Sequence, residues 1–337
     1  MTAMEVSAST ATIASTHAEE LDGMNRLKPR SRYAWQLRSR TLLLGERTLI
    51  MAILNVTPDS FSGDGLLSAG PEAASAKVAV AAAIAAFDAG ADILDLGAES
   101  TRPNATPLTA DEEQARLLPV LEGLLLARPG AIVSVDTYHA ATARAVGKLG
   151  AEIVNDVSGL TWDSEMGSAV AQSGCGLVLM HTRGRPREWL AQGPMSRDEI
   201  VPAIFGGLCE GVALAEAAGI ATERIVVDPG FGFGKRGQEN FTLLAQLGRL
   251  KQLGRPLLIG LSRKSFLGEA VRALQPEGVS AADARRTATT AAHTAAILSG
   301  AHVLRVHDVQ AARETAEIAD RLLDTVADQH PSPLPSF

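Results

Sequence analysis

Two groups of residues in this chain have the types and spacing to do chemistry on a small polar molecule. The first is a set of acceptors, Asp136, Asn155 and Asp228, each closing a short apolar run: "IVSVD", "EIVN" and "RIVVD". A carboxylate at the end of a buried run must find donors or become neutral. A flat heterocycle with a row of N–H groups, such as a 2-amino-4-oxopyrimidine ring, would supply them. Lys264, in "SRKSF", offers the complementary donor for a ring carbonyl or ring nitrogen. The plain alternative for Asp136 in "DTYHAATA" is helix N-capping. That alternative is weaker for Asp228, because "DPGFGFGK" sets Pro229 and three glycines ahead of any helix.

The second group is cationic: Arg263, Arg305 and His307. "RVHDV" puts Arg305 and His307 two residues apart, hence on one side of an extended segment, where a multiply charged anion such as a diphosphate would fit. For Arg305 a salt bridge to neighbouring carboxylates explains the sequence equally well. Lys235, after the glycines, is either another anion contact or a solvated loop lysine. Asn55 contributes an amide oxygen suited to Mg²⁺, which takes oxygen ligands and commonly shares its shell with phosphates and water. Nothing resembles a zinc cluster; His139, His293 and His302 read as structural or surface histidines.

These residues need a scaffold that brings distant segments to one place. Apolar runs at 49–54, 92–96, 131–135, 151–155, 176–180, 224–228, 256–260 and 301–306 read as buried parallel strands. Between them lie segments rich in Ala and Leu, including 71–90, 109–127, 139–149, 198–218, 281–299 and 308–326, which favour helix. Eight strand–helix units predict an α/β fold, a closed (β/α)₈ TIM barrel, rather than an open doubly wound sheet. No Gly-x-Gly-x-x-Gly turn follows the first strand, so a dinucleotide site has little support. In such a barrel the C-terminal strand ends share one face, where active sites sit. Polar residues stand at all those ends: Asn55, Glu99, Asp136, Asn155, Asp228, Arg263 and His307 among them. Upstream, "WQLRSRTLLLGERTLIM" predicts an N-terminal β-hairpin turning at Gly45-Glu46-Arg47 and leading into the first barrel strand.

Residues 1–33 are small, polar and acidic and read as a disordered leader, with 34–330 as one domain. The leader lacks the pattern of a signal or transit peptide. No run of roughly 18 apolar residues predicts a membrane span. Of 337 residues 46% are hydrophobic and 20% charged, and the formal charge is −7; this fits a soluble globular protein and argues against a general nucleic-acid surface. Cys175 and Cys209 stand in unrelated segments, as in a reducing compartment. A cytoplasmic location is expected.

"ILNVTPDSFSGDG", "GAESTRP", "VDT", "NDVSG", "DPGFGFGK", "SRKSFLG" and "RVHDV" occur in the order found in the dihydropteroate synthases, which the chain resembles from about Trp35 to Asp324. The resemblance implies a pterin-binding barrel, usually homodimeric. Such an enzyme joins 4-aminobenzoate to (7,8-dihydropterin-6-yl)methyl diphosphate in folate biosynthesis, with Mg²⁺, and is the target of sulfonamides. It implies that Asp136, Asn155, Asp228 and Lys264 hold the pterin, with Met180 and Phe233 packing near its ring. Asn55, Arg305 and His307 become the diphosphate and Mg²⁺ contacts. Phe61, Thr101, Arg102, Pro103, Lys264 and Ser265 shape the aminobenzoate end. Catalytic parts fall to Asp64, Arg102, Lys264, Arg305 and His307, with the loops 55–68 and 98–107 closing over the substrates. Three positions depart from the family pattern: the acid of "SGDG" stands one residue late, and Ala98 and Asn104 replace glycines. Two other readings are a corrinoid-dependent methyltransferase with a related pterin pocket and a catalytically silent pterin-binding protein. The two substrate loops and the Arg-x-His pair weigh against the first, and Asn55, Lys264, Arg305 and His307 against the second. A fusion to a pathway kinase is not expected at this length.

Overall fold

The Val-, Ile- and Leu-rich runs are too short for helices and apolar on both sides, which suits strands covered on both faces. In the computed structural model, which describes residues 27–56, 71–99, 107–189, 191–275 and 280–327, they pair in parallel. The barrel strands are β3 (Leu49–Asn55), β4 (Ile93–Gly97), β5 (Val133–Asp136), β6 (Ile153–Asp156), β7 (Gly176–Met180), β8 (Ile225–Asp228), β9 (Leu258–Ile259) and β10 (Val303–Val306). Their order is β8-β7-β6-β5-β4-β3-β10-β9, and a parallel bridge between Val227 and Leu257 joins the two ends. The expected (β/α)₈ barrel is therefore present.

Helices cover the outside. Ala110–Ala127 starts at a capping box in which the Thr109 hydroxyl accepts from the Glu112 amide at 3.3 Å and the Glu112 carboxylate accepts from the Thr109 amide at 2.8 Å. Helix Ile200–Ala217 has the length and apolar composition of a membrane-crossing segment. However, Ile200, Val201, Ile204, Leu208 and Ala215 are buried and belong to the main core, as in an outer-layer helix of a barrel. Three shorter helices, Met166–Ser173, Gly237–Ala245 and Ser265–Val271, carry too few turns for periodicity to mark them in the sequence.

The N-terminal hairpin is present, with its turn in a different place. β1 (Tyr33–Gln36) pairs antiparallel with β2 (Thr41–Leu44), and the turn is Leu37–Arg40, closed by Leu37 N–H donating to the Arg40 carbonyl at 2.8 Å. Gly45–Arg47 instead links the hairpin to β3. Residues 27–33, expected in the leader, lie against the barrel. The Arg30 guanidinium is buried and donates to the Ala301 carbonyl (3.0 Å) and Asp320 (2.6 Å), so residues 27–33 do not belong to a disordered leader. Residues 1–26 lie outside the described residues.

Because side chains alternate along a strand, every second residue points into the barrel. Met51, Ile93, Ile153, Val178, Val226, Leu258 and Val303 form an apolar plug, packed from below by Trp35, Leu37 and Leu44 of the hairpin. Trp35 is 1% exposed, and its indole N–H donates to the Arg224 carbonyl at 2.9 Å. Two residues further along, polar side chains replace the plug on four of these strands: Asp95, Asn155, Asp228 and Arg305.

Candidate active site

That next layer contains Asp95, Asp136, Asn155, Met180, Asp228 and Arg305, each two residues beyond the plug level on its strand. Strand register aligns a row across it: Asn55 pairs with Gly97, Gly97 with Asp136, and Asp136 with Asn155, while Met180 pairs with Asp228. Gly97 keeps the row tight. A Cβ there would stand 3.2 Å from the Asn55 amide oxygen and 3.6 Å from the Asp136 Cβ.

Arg305 lies in this layer and joins two carboxylates. Its Nε donates to Asp95 Oδ2 at 2.6 Å and its Nη2 to Asp136 Oδ2 at 2.7 Å. The salt-bridge reading of Arg305 is thus realised here. Burial opposes the charge on Arg305, but Asp95 and Asp136 outweigh it and raise its pKa. Burial also pushes the Asp136 carboxyl up to about 7, against the pull of Arg305. Asp136 does not cap the helix that follows: Thr137 Oγ1 accepts from the His139 amide and Asp163 from the Ala140 amide. The Asp136 side chain is left to Arg305 and the barrel interior.

Asp228 closes the other side of the layer. It is buried, accepts from the Gly230 amide at 2.7 Å, and has its pKa raised by burial. Gly230 is required where it stands: its φ is +68°, and a Cβ would collide with the His181 carbonyl. Lys264 is half-buried, and desolvation pulls its ammonium down to about 8, with Asp228 opposing that shift. Its Nζ stands 4.3 Å from the centre of the Phe233 ring, within cation–π range. Phe233 and Met180 belong to a small apolar cluster with Tyr138, Val157 and Trp162, separate from the main core. The layer therefore presents acceptors, one ammonium and an apolar wall.

His307 is exposed and hydrogen-bonds to Ser262 through both its backbone N–H (3.2 Å) and Nδ1 (3.1 Å). Ser265 is exposed at the start of helix Ser265–Val271. Arg263 holds a left-handed φ of +59°, a strained turn for a side-chain-bearing residue. Phe61, Asp64, Thr101, Arg102 and Pro103 lie outside the described residues.

Lys235 answers to neither expectation. It is buried, and its Nζ donates to the carbonyls of His181 (3.2 Å), Gly230 (2.8 Å) and Phe233 (3.3 Å), so it pins the glycine-rich loop. Asn240 completes that loop, accepting from the Gly232 amide and donating to the Lys235 carbonyl. Asp95 went unnoticed in the sequence because it lies inside a strand rather than at its end. A lone acid within "ILDLG" was the available signal, since a buried carboxylate must have partners.

A model of the pterin binding enzyme family matches residues 51–307. A dihydropteroate synthase of Synechocystis sp. is 39% identical over 280 residues, 82% of this chain and 91% of that protein. The chain belongs to the pterin binding enzyme family. Solved structures of pterin binding enzymes share the barrel. Xanthomonas albilineans dihydropteroate synthase with 4-aminobenzoic acid superposes with a TM-score of 0.74 at 36% identity, covering 90% of this chain and 100% of that one. The Anaplasma phagocytophilum dihydropteroate synthase with bound 6-hydroxymethylpterin-monophosphate gives 0.71 at 32% identity, over 82% and 99%.

Proposed function

We propose that this chain joins 4-aminobenzoate to (7,8-dihydropterin-6-yl)methyl diphosphate, forming 7,8-dihydropteroate and releasing diphosphate, a transferase step of folate biosynthesis. The observation that carries this reading is the polar layer above the apolar plug. Asp136, Asn155 and Asp228 supply acceptors for the N–H edge of a pterin, while Lys264 supplies a donor and Met180 and Phe233 an apolar wall. Alignment over most of a dihydropteroate synthase supports it.

An arylamine is a weak nucleophile because its lone pair is delocalised into the ring, so making the electrophile first is the favourable order. In this reading diphosphate leaves early, and the electron-rich dihydropterin stabilises the methylene cation that remains. His307 at the rim and Arg305 in the layer below stabilise the charge developing on the leaving group. The amine then attacks, and the anilinium proton that results is acidic enough to need no strong base. Among the described residues no three carboxylates, histidines or cysteines cluster around a metal position. Asn55 fits Mg²⁺ as a lone amide ligand, with diphosphate oxygens and water completing the shell. When bound, the ion would supply positive charge to the departing diphosphate. Phe61, Thr101, Arg102, Pro103 and Ser265 are assigned to the aminobenzoate end and Asp64 to loop chemistry on the family resemblance. A cytoplasmic homodimer is part of the same proposal; Ile318 and Leu322, exposed four apart on helix Val309–Ala327, offer such a dimer an apolar surface.

The test is to incubate the full chain with dihydropterin diphosphate, 4-aminobenzoate and Mg²⁺ and to measure dihydropteroate and diphosphate together. Both should accumulate, and slower diphosphate release should persist when 4-aminobenzoate is omitted. No dihydropteroate would contradict the function, and strict dependence of cleavage on the amine would replace early departure with direct displacement.

A further inference from the structure

Asp95 lies in the polar layer but is assigned no contact with substrate. It is fully buried on β4, and one of its oxygens does two things at once. Oδ2 accepts from Arg305 Nε at 2.6 Å and from Asn155 Nδ2 at 3.0 Å, while Oδ1 has no hydrogen-bond partner among the described residues. A carboxylate held purely for packing would be expected to satisfy both oxygens.

We propose that Asp95 is a positioning residue that fixes the Asn155 amide with its carbonyl oxygen toward the cavity, and thereby sets the acceptor pattern offered to the pterin. An asparagine amide has two faces of opposite hydrogen-bonding sense, and only a neighbour of one sense can choose between them. Asp95, salt-bridged to the Arg305 guanidinium, is such a neighbour: it offers only acceptors, so Asn155 must meet it with its NH₂ group. The amide oxygen is then turned away from β4. With Asp136 next to Asn155 in register, the cavity meets two neighbouring acceptors rather than an acceptor beside a donor. The same Asp95 oxygen anchors Arg305, which reaches on to Asp136, so a single buried atom orients three groups of the layer. This inference rests on the pterin reading above.

A double-mutant cycle tests it, with 6-hydroxymethylpterin as the equilibrium-binding probe at pH 7.5. Asp95→Ala and Asn155→Ala should each weaken binding by roughly tenfold or more, as loss of a buried hydrogen-bonded group does. The double variant should lose clearly less affinity than the product of the two single losses, because part of the effect of Asp95 runs through Asn155 and the rest through Arg305. Losses that multiply would overturn the inference. Asp95→Asn supplies a second readout that survives if Asp95→Ala fails to fold. It keeps an acceptor oxygen facing Asn155 and Arg305, and it should bind the probe within about threefold of the unaltered chain. A loss by Asp95→Asn of tenfold or more would also overturn the inference. If the unaltered chain neither binds the probe nor forms dihydropteroate, the functional reading fails and takes the inference with it. Unaltered binding with a multiplicative cycle sinks the inference alone.

Discussion

The two halves of the barrel interior differ by two residues along each strand, and that step separates stability from chemistry. Below, Ile93, Ile153, Val178, Val226 and Val303 pack with Trp35 of the hairpin into an apolar plug. Above, Asp95, Asn155, Asp228 and Arg305 occupy the same strands. Burial of the lower set stabilises the fold, whereas burial of the upper set opposes it. Asp136 and Asp228 have their pKa values raised by burial, and Lys264 and Lys235 have theirs lowered, so each charged form is held at a cost. A raised carboxyl pKa means stability that is fully present below the unfolded value and lost as pH rises through the folded one. A lowered lysine pKa means stability present above the unfolded value and lost as pH falls through the folded one. Near neutral pH the upper layer therefore works against folding, which makes sense if its donors and acceptors await a ligand.

The comparison breaks most visibly at the plug. Trp35→Ala should lower unfolding free energy by about 3–5 kcal/mol, as large-to-small core changes do. Denaturant titration measures this, and the folded fraction should bind 6-hydroxymethylpterin within about twofold of the unaltered chain. Loss of binding in proportion to stability would mean that the two halves are not separable. Lys235→Met should act in the opposite sense. Freeing the His181, Gly230 and Phe233 carbonyls loosens the loop that carries Phe233, so KM for dihydropterin diphosphate should rise roughly five- to tenfold while that for 4-aminobenzoate stays level. Equal changes in both KM values would show that the loop does not belong to the pterin side. The smallest effect is with pH. Asp136 must be a carboxylate to accept and Lys264 an ammonium to donate, so pterin affinity should fall below about pH 7 and again above about pH 8. A flat affinity profile from pH 6 to 9 would remove these two groups from recognition.

Much of this arrangement was legible beforehand, for physical reasons. Short β-branched runs between alanine-rich segments allow few architectures, and a parallel barrel collects its strand ends on one face, so the sequence alone groups Asp136, Asn155 and Asp228. Asp95 was not legible, because the direction in which a mid-strand residue points depends on where the strand begins and on barrel register. Lys235 reads as a loop lysine because the residues around it look like an open loop. Its burial comes with three carbonyls, two brought by the turn at Gly230 and Phe233 and one by His181 just past β7. Glycine marks turns, so the sequence points to a hairpin turn at Gly45, whereas the true turn at Leu37–Arg40 contains none. Arg30 looks like part of the leader in the sequence because its partners, Thr48, Ala301 and Asp320, are remote along the chain.

The separation of the two halves is tested most directly by Asp228→Ala, read for binding and stability in the same sample. Titration with 6-hydroxymethylpterin at pH 7.5 should show affinity reduced by about thirtyfold or more, as for a charged hydrogen-bonding partner. The thermal midpoint should change little, because the variant also removes a carboxylate whose burial disfavours its charge. Unaltered pterin affinity, or a collapse of stability as large as that of Trp35→Ala, would contradict the account.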